Sequence, residues 1–224
     1  MNHDCAAIFD MDGVLVDTYR AHYRSWLAMA QPHGLSFTEA EFAHTFGRTS
    51  REIIAHFWGD GRFTDAQIAA LDEKKEGAFR RIIEADFPAM PGARRLLEEL
   101  HDAGFALAVG SSGPPENVDL VLERLGARRL FRAVVTGMDV TRGKPDPQVF
   151  LIAAERLGVP AERCAVIEDA PAGVAAANAA GMTSIGLTST GRTTESLAAA
   201  HLVVGSLAEL SADVLRRLIV CRRG

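Results

Sequence analysis

Asp10 and Asp12 stand two residues apart where the apolar run Cys5–Phe9 stops. On an extended segment that spacing points both carboxylates the same way and turns Met11 into the core. Gly13 follows at once and permits a sharp turn. Three later segments carry complementary groups: Gly110-Ser111-Ser112-Gly113, Gly143-Lys144-Pro145-Asp146-Pro147 and Glu168-Asp169. Each follows an apolar run that reads as a strand. Four acids, two hydroxyls and one ammonium therefore converge beyond the carboxyl ends of strands, where open α/β sheets bind ligands. Crowded carboxylates repel one another unless they are protonated or bridged by a cation. Hard oxygen donors of this kind suit Mg²⁺, which also takes phosphate oxygens. A carboxylate beside Mg²⁺ and an ammonium can attack phosphorus and carry an aspartyl-phosphate. The positive groups would neutralise charge on the transferring group, and hydroxyl and N–H groups around Ser111 would bind its other oxygens. Taken singly, each segment has a plainer meaning: an Asx turn at Asp10, a helix cap at Glu168-Asp169, a solvated Lys144. The four together carry the weight.

The elements that must hold these groups follow from periodicity. After Asp17 come four stretches with apolar residues at helical spacing, Tyr19–Gln31, Glu39–Phe46, Ser50–Trp58 and Asp65–Asp86, broken by Pro32-His33-Gly34 and Gly59-Asp60-Gly61. From Pro91 the chain alternates. Helices are expected over Gly92–Ala103, Pro115–Leu125, Pro147–Leu157 (capped by Asp146), Ala172–Ala180 and Ala208–Ile219. Between them lie strands Phe105–Gly110, Ala133–Thr136, Ala165–Glu168, Thr183–Leu187 and Leu202–Val204. Alternation of this kind means a doubly wound parallel α/β sheet. The expected organisation is a catalytic core over residues 1–16 and 91–224, with an all-helical domain, 17–90, inserted after the first strand.

Composition excludes several classes. With 24 Lys+Arg against 29 Asp+Glu, the formal charge of −5 argues against a general nucleic-acid binder. It leaves room for a small anion at a local positive spot. Only three of the basic residues are lysines, Lys74, Lys75 and Lys144. Cys5, Cys164 and Cys221 show no metal-ligand spacing, and Cys5 and Cys164 read as core. No signal peptide or membrane span is expected, so the protein reads as cytoplasmic and, by default, monomeric.

The run Phe9-Asp10-Met11-Asp12-Gly13-Val14-Leu15-Val16-Asp17 resembles the first motif of the haloacid dehalogenase superfamily, in its phosphotransferase form. Ser111, Lys144 in Gly-Lys-Pro-Asp-Pro, and Glu168-Asp169 match the second, third and fourth motifs in order. The resemblance implies a Rossmann-like core with a helical cap domain that opens and closes over the rim. It implies Asp10 as nucleophile and Asp12 as general acid, then base. Mg²⁺ would be held by the Asp10 carboxylate, the Asp12 backbone carbonyl and Asp169, with Glu168 nearby or acting through water. Ser111 would bind the phosphoryl group, with Ser112 on the substrate, and Lys144 would link phosphate and nucleophile. Asp12 disfavours dehalogenation and phosphonate cleavage, whose enzymes lack it. His22 and Trp26 resemble the first cap helix of the β-phosphoglucomutase-like branch, and Gly47-Arg48-Thr49-Ser50-Arg51-Glu52 its substrate loop. Lys75 matches a lysine that faces the site. His22, Arg51 and Lys75 are thus substrate-binding candidates. Each also has a bland alternative: a packing histidine, a surface arginine, and a lysine on the solvated face Asp72–Glu76. Trp26 and Phe79 read as core.

The expected activity is Mg²⁺-dependent hydrolysis of a small phosphorylated metabolite, a sugar phosphate or a phosphoglycolate type. The nearest alternative is a sugar phosphomutase, against which Gly113-Pro114-Pro115 weighs. A phospho-acceptor module like a response-regulator receiver shares the rim chemistry, but carries its acceptor later and lacks the insert. A non-catalytic binding protein on the same fold would not need every motif position.

Overall fold

A computed structural model describes residues 3–45, 49–189 and 191–221. The chain divides into two compact units, Met1–Asp17 with Pro88–Gly224, and Thr18–Phe87.

The first unit is built on six parallel strands: β1 (Ala6–Phe9), β2 (Ala106–Gly110), β3 (Phe131–Val135), β4 (Cys164–Glu168), β5 (Thr183–Leu187) and β6 (Leu202–Val204). Their spatial order is β3-β2-β1-β4-β5-β6. The chain steps outward from β1 to β3, then returns to β1's other side for β4. Such a reversal opens a crevice beyond the carboxyl ends of the two central strands. This is the doubly wound, Rossmann-like α/β sheet. β1 is central, with Ala6 in register with both Ala106 and Cys164, and all four of its residues are fully buried. A strand covered on both faces needs an unbroken apolar sequence, and Ala-Ala-Ile-Phe supplies it.

Helices α5 (Ala93–Asp102), α6 (Pro115–Arg124), α7 (Gln148–Leu157), α8 (Pro171–Ala179) and α9 (Ala212–Cys221) complete this unit. Ala6, Ile8, Ala106, Ala108 and Val166 pack with Val149, Phe150 and Ala153 of α7 and Ala176 and Ala177 of α8. α7 stops at Gly158, whose φ of 67° is left-handed and costs glycine little.

Three elements depart by more than one residue from the sequence expectation, for local reasons. Phe131–Val135 is the strand, and Thr136 instead caps a 3₁₀ turn, Gly137–Asp139. The last helix begins at Ala212, not Ala208. Ser206 and Glu209 close a 3₁₀ turn over Leu207–Glu209, and the Arg95 guanidinium takes the Leu207 and Leu210 carbonyls. The second stretch of the insert forms a helix only over Glu39–Ala43, and Phe46, the end of the expected stretch, lies outside the described residues.

The second unit contains α1 (Tyr19–Ala30), α2 (Glu39–Ala43), α3 (Ser50–Trp58) and α4 (Asp65–Ala85). Capping boxes start α2 (Thr38, Glu41), α3 (Thr49, Glu52) and α4 (Thr64, Gln67). Its core is Trp26, Met29, Phe37, Phe42, Ile54 and Trp58, with neighbours. Among the described residues, no helix is long and apolar enough to cross a membrane.

Cys164 is buried, and burial pushes its thiol up to about 12. Cys5 is only half-buried, so it is not the core residue its position in the apolar run suggested.

Candidate active site

β1 delivers Asp10 into the crevice. The Asp10 N–H donates to Ile167 O of β4 (3.0 Å), so the ladder continues one residue past the strand. The chain then folds tightly. Met11 O accepts from Val14, Leu15 and Val16 N–H, and Gly13 N–H donates to Val16 O (2.8 Å). Met11 is fully buried and Asp12 half-buried. Gly13 has a φ of 74°, and a Cβ on it would collide with the Asp169 carboxylate. Both the backbone conformation and the packing therefore demand glycine. Gly13→Ala is expected to cost roughly 1–3 kcal/mol of stability, from left-handed strain and a displaced Asp169. Thermal denaturation reads this, and an unchanged melting point would contradict it.

Lys144 ties three segments together. Its Nζ donates to Asp10 Oδ1 (2.7 Å), Glu168 Oε1 (2.7 Å) and Gly110 O (3.1 Å). Three donors meet three acceptors. The ammonium also lies 4.9 Å from the centre of the Phe150 ring. Burial alone would depress the Lys144 pKa, but Asp10 and Glu168 override it and hold it above its ordinary value. Both Glu168 oxygens are held, since its Oε2 accepts from Ala170 N–H at 2.9 Å. Gly173, in the first turn of α8, leaves it room: a Cβ there would overlap the Glu168 carboxylate.

Asp10, Glu168 and Asp169 are all buried, and each offers one carboxylate oxygen within 4.8 Å of the others'. Burial drives the Asp10 carboxyl well above the usual carboxylate range. Lys144 pulls it down, and Glu168, Asp12 and Asp169 push it up again. One ammonium thus faces four acids, an imbalance that a hard cation would relieve. The donor set, carboxylate oxygens alone, fits such an ion.

Ser111 is buried at the end of β2. Its N–H donates to Val135 O (3.0 Å), and its Oγ accepts from Gly113 N–H (3.0 Å). These two N–H groups are therefore spent inside the protein. The Ser111 hydroxyl keeps its own proton to donate. Ser112 is exposed. Gly113 O accepts from Gly137 N–H (2.9 Å), which pins this loop to the turn after β3. Pro115 occupies the first position of α6, a favoured place for proline. The two prolines therefore serve the helix start and weigh little against a mutase.

In the helical unit, Lys75 is 4% exposed, so the solvated-face alternative does not hold. Its Nζ lies 2.9 Å from His22 Nδ1 and 2.6 Å from Glu76 Oε1, with the Trp26 and Phe79 rings at 5.7 and 5.5 Å. His22 stacks on Phe79. Trp26 and Phe79 are core. Arg51 is exposed and paired with Asp65 at 2.6 Å. Gly47 and Arg48 of the expected substrate loop lie outside the described residues. Sequence reasoning overlooked Gly173 and Phe150. Their only signal was small or apolar residues at helical spacing, shared with every packing position.

The chain matches the model of the haloacid dehalogenase-like hydrolases over residues 6–181. It is 32% identical to β-phosphoglucomutase of Bacillus subtilis over 216 residues, covering 94% of this chain and 93% of the relative. It is 38% identical to hexitol phosphatase A of Escherichia coli over 176 residues, 78% of each chain. The crystal structure of β-phosphoglucomutase from Clostridium difficile superposes with a TM-score of 0.87 at 26% identity, covering 98% of this chain and 99% of that one.

Proposed function

This chain belongs to the haloacid dehalogenase-like hydrolases, and from that premise we propose that it is a Mg²⁺-dependent phosphatase of small phosphorylated metabolites, working through an aspartyl-phosphate on Asp10. The observation that carries this reading is the buried Lys144 bridge between Asp10 and Glu168. It fixes one carboxylate in a single orientation, facing a crevice where charge must be balanced by a ligand.

Asp10 attacks the phosphorus of the bound ester, and the bond from phosphorus to the ester oxygen breaks. Asp12, protonated, gives its proton to that oxygen, and the alcohol leaves. Asp12, now a carboxylate, takes a proton from water, whose oxygen attacks the same phosphorus. The Asp10–phosphorus bond breaks and inorganic phosphate is released. Ser111 donates its hydroxyl proton to a phosphoryl oxygen, and Lys144 holds Asp10 and offsets the charge on the phosphoryl group. Asp10, the Asp12 carbonyl and Asp169 would hold the metal, with Glu168 beside it. When bound, Mg²⁺ supplies the positive charge that offsets the acids and the phosphoryl oxygens. His22 and Lys75, held together in the helical unit, are the substrate-binding pair there. Arg51 would reach a substrate only by giving up Asp65, and Ser112, which is exposed, would contact it from the β2 loop.

A relative named β-phosphoglucomutase supports a second reading, in which a sugar hydroxyl replaces water as acceptor. Phosphate release from a panel of sugar phosphates, measured against isomerisation of β-glucose 1-phosphate, separates the two. Phosphate release is expected, and isomerisation without it would make the protein a mutase. Chelation is expected to stop turnover. Ca²⁺ should restore it poorly, because it tolerates longer bonds and looser geometry. Full activity in chelator would remove the metal.

A further inference from the structure

Lys144 meets three acceptors at once with a long, flexible side chain, so the backbone that carries it must be held. Yet Lys144 belongs to no strand and no helix. The segment Thr141–Pro147 lies between the 3₁₀ turn Gly137–Asp139 and the start of α7. What fastens it is the first turn of α7.

Gln148, the first residue of α7, turns its side chain back onto that segment. Its Oε1 accepts from Thr141 N–H (2.8 Å), Arg142 N–H (3.0 Å) and the Thr141 hydroxyl (3.2 Å). Two backbone N–H groups that converge on one atom require the amide oxygen there, not the amide nitrogen. The other ties lie nearer the helix or are weaker. Asp146 N–H donates to Gly143 O (3.0 Å), and Asp146 Oδ1 accepts from Gln148 N–H (3.0 Å). Arg142 pairs with Asp146 at 3.0 Å, but the arginine is exposed, and such pairs stabilise little. Two residues beyond Gln148, the buried Phe150 ring lies under the Lys144 ammonium and against Gly110, where an added Cβ would come within 3.1 Å of it. One helical turn therefore supplies both the clamp on the backbone before Lys144 and the floor under its charge.

We propose that Gln148 is a positioning residue for the reaction: it holds Thr141 and Arg142 so that Lys144 reaches Asp10, Glu168 and Gly110 O together. It acts through Lys144 and not on the substrate. Its effect on turnover rests on the phosphatase reading, whereas its effect on the Lys144 ammonium does not. Thr141 and Arg142 are exposed, so water can satisfy their N–H groups when the amide is removed. What is lost is the placement of Lys144 more than the stability of the fold.

The test uses the full chain with isotope-labelled lysine, read by proton–nitrogen NMR without substrate. Lys74, Lys75 and Lys144 are the only lysines, so Lys74→Arg and Lys75→Arg assign the third ammonium to Lys144. With its side chain 10% exposed and all three protons bonded, that ammonium should exchange slowly with water. Gln148→Met keeps the length and removes the acceptor. The Lys144 signal is expected to be lost to exchange while the melting point changes little. Gln148→Glu brings back an acceptor oxygen and should bring back the signal. In phosphate release, Gln148→Met should lower kcat on the order of tenfold to a hundredfold, the effect of a displacement of about 1 Å, and KM much less. In a Lys144→Met background the same change should cost nothing further. A structural glutamine predicts a lower melting point, an unchanged Lys144 signal and the same loss of kcat in both backgrounds. An unchanged signal in Gln148→Met would overturn the proposal, as would a signal that Gln148→Glu does not restore or an equal loss of kcat with and without Lys144. The spectrum decides even where Lys144→Met is too unstable to assay. If the unaltered chain releases no phosphate while the signal depends on Gln148, the hydrolysis reading fails and the positioning stands. If phosphate is released and the signal is indifferent to Gln148, the reverse holds.

Discussion

Asp10→Asn is expected to lower phosphate release on the order of 10⁴-fold or more, and to leave the fold intact or more stable. The amide has the carboxylate's shape and can still accept from Lys144 Nζ through its oxygen, but it has no charge with which to attack phosphorus. Its effect on stability follows from burial. The Asp10 carboxyl is held well above the usual range, first by burial and then by Glu168, Asp12 and Asp169 against the pull of Lys144. A group whose folded pKa is raised contributes stability that is fully present below its unfolded pKa and lost as pH rises through the folded one. Near neutral pH the ionised Asp10 is therefore a cost in the metal-free protein, and asparagine does not bear it. Without Mg²⁺, the melting point of the variant relative to the parent should rise between pH 4 and pH 8. Near-normal turnover would remove Asp10 as nucleophile. A melting difference that shrinks over that range would mean that Lys144 compensates the charge more fully than burial opposes it.

The same residues show where sequence reasoning reached and where it stopped. Asp10 and Asp12 were legible because the apolar run Cys5–Phe9 reads as a buried strand, and acids that end such a strand sit at the carboxyl end of the sheet. Alternation of apolar runs and helical periods implied a parallel sheet. It did not say on which side of β1 each later strand would lie, so the crevice between β1 and β4 emerged only from the strand order. Lys75 was misread in one of its two senses because Asp72–Glu76 is charged along the chain. Its burial comes from Trp26, 49 positions earlier, and from Phe79, which local composition does not reveal. Ser111 was identified, but the commitment of its N–H to β3 depends on pairing register. Short 3₁₀ turns such as Leu207–Glu209 are too brief to show a period, and Arg95, far along the chain, holds that one's carbonyls.

Lys144→Met should be the most disruptive single change to the site, in both activity and stability. The ammonium is the only cation that bridges Asp10 and Glu168 among the described residues, and it also satisfies Gly110 O. Methionine matches its length but leaves two buried carboxylates without a counter-charge and one carbonyl without a donor. Breaking a buried pair by removing one partner costs about 3–5 kcal/mol, which for a chain of this size is a fall of on the order of 10 °C in melting point. Lys144 is also the one group that pulls the Asp10 pKa down, so its loss sends Asp10 higher still. The nucleophile is then protonated over more of the working range. The acid limb of the pH–rate profile should move to higher pH, with turnover down on the order of 10²–10⁴-fold. The stability deficit carries its own sign. With Asp10 raised further, the variant keeps its stability at low pH and loses it as pH climbs through the new folded pKa, whereas the Lys144 contribution in the parent persists until pH exceeds the ordinary lysine value. The gap in melting point between parent and variant should therefore widen from pH 5 to pH 8. A constant gap would mean that the deficit comes from lost packing on Phe150 and not from uncompensated charge. Lys144→Arg is not a conservative control, because a planar fork cannot reach three acceptors arranged around one nitrogen.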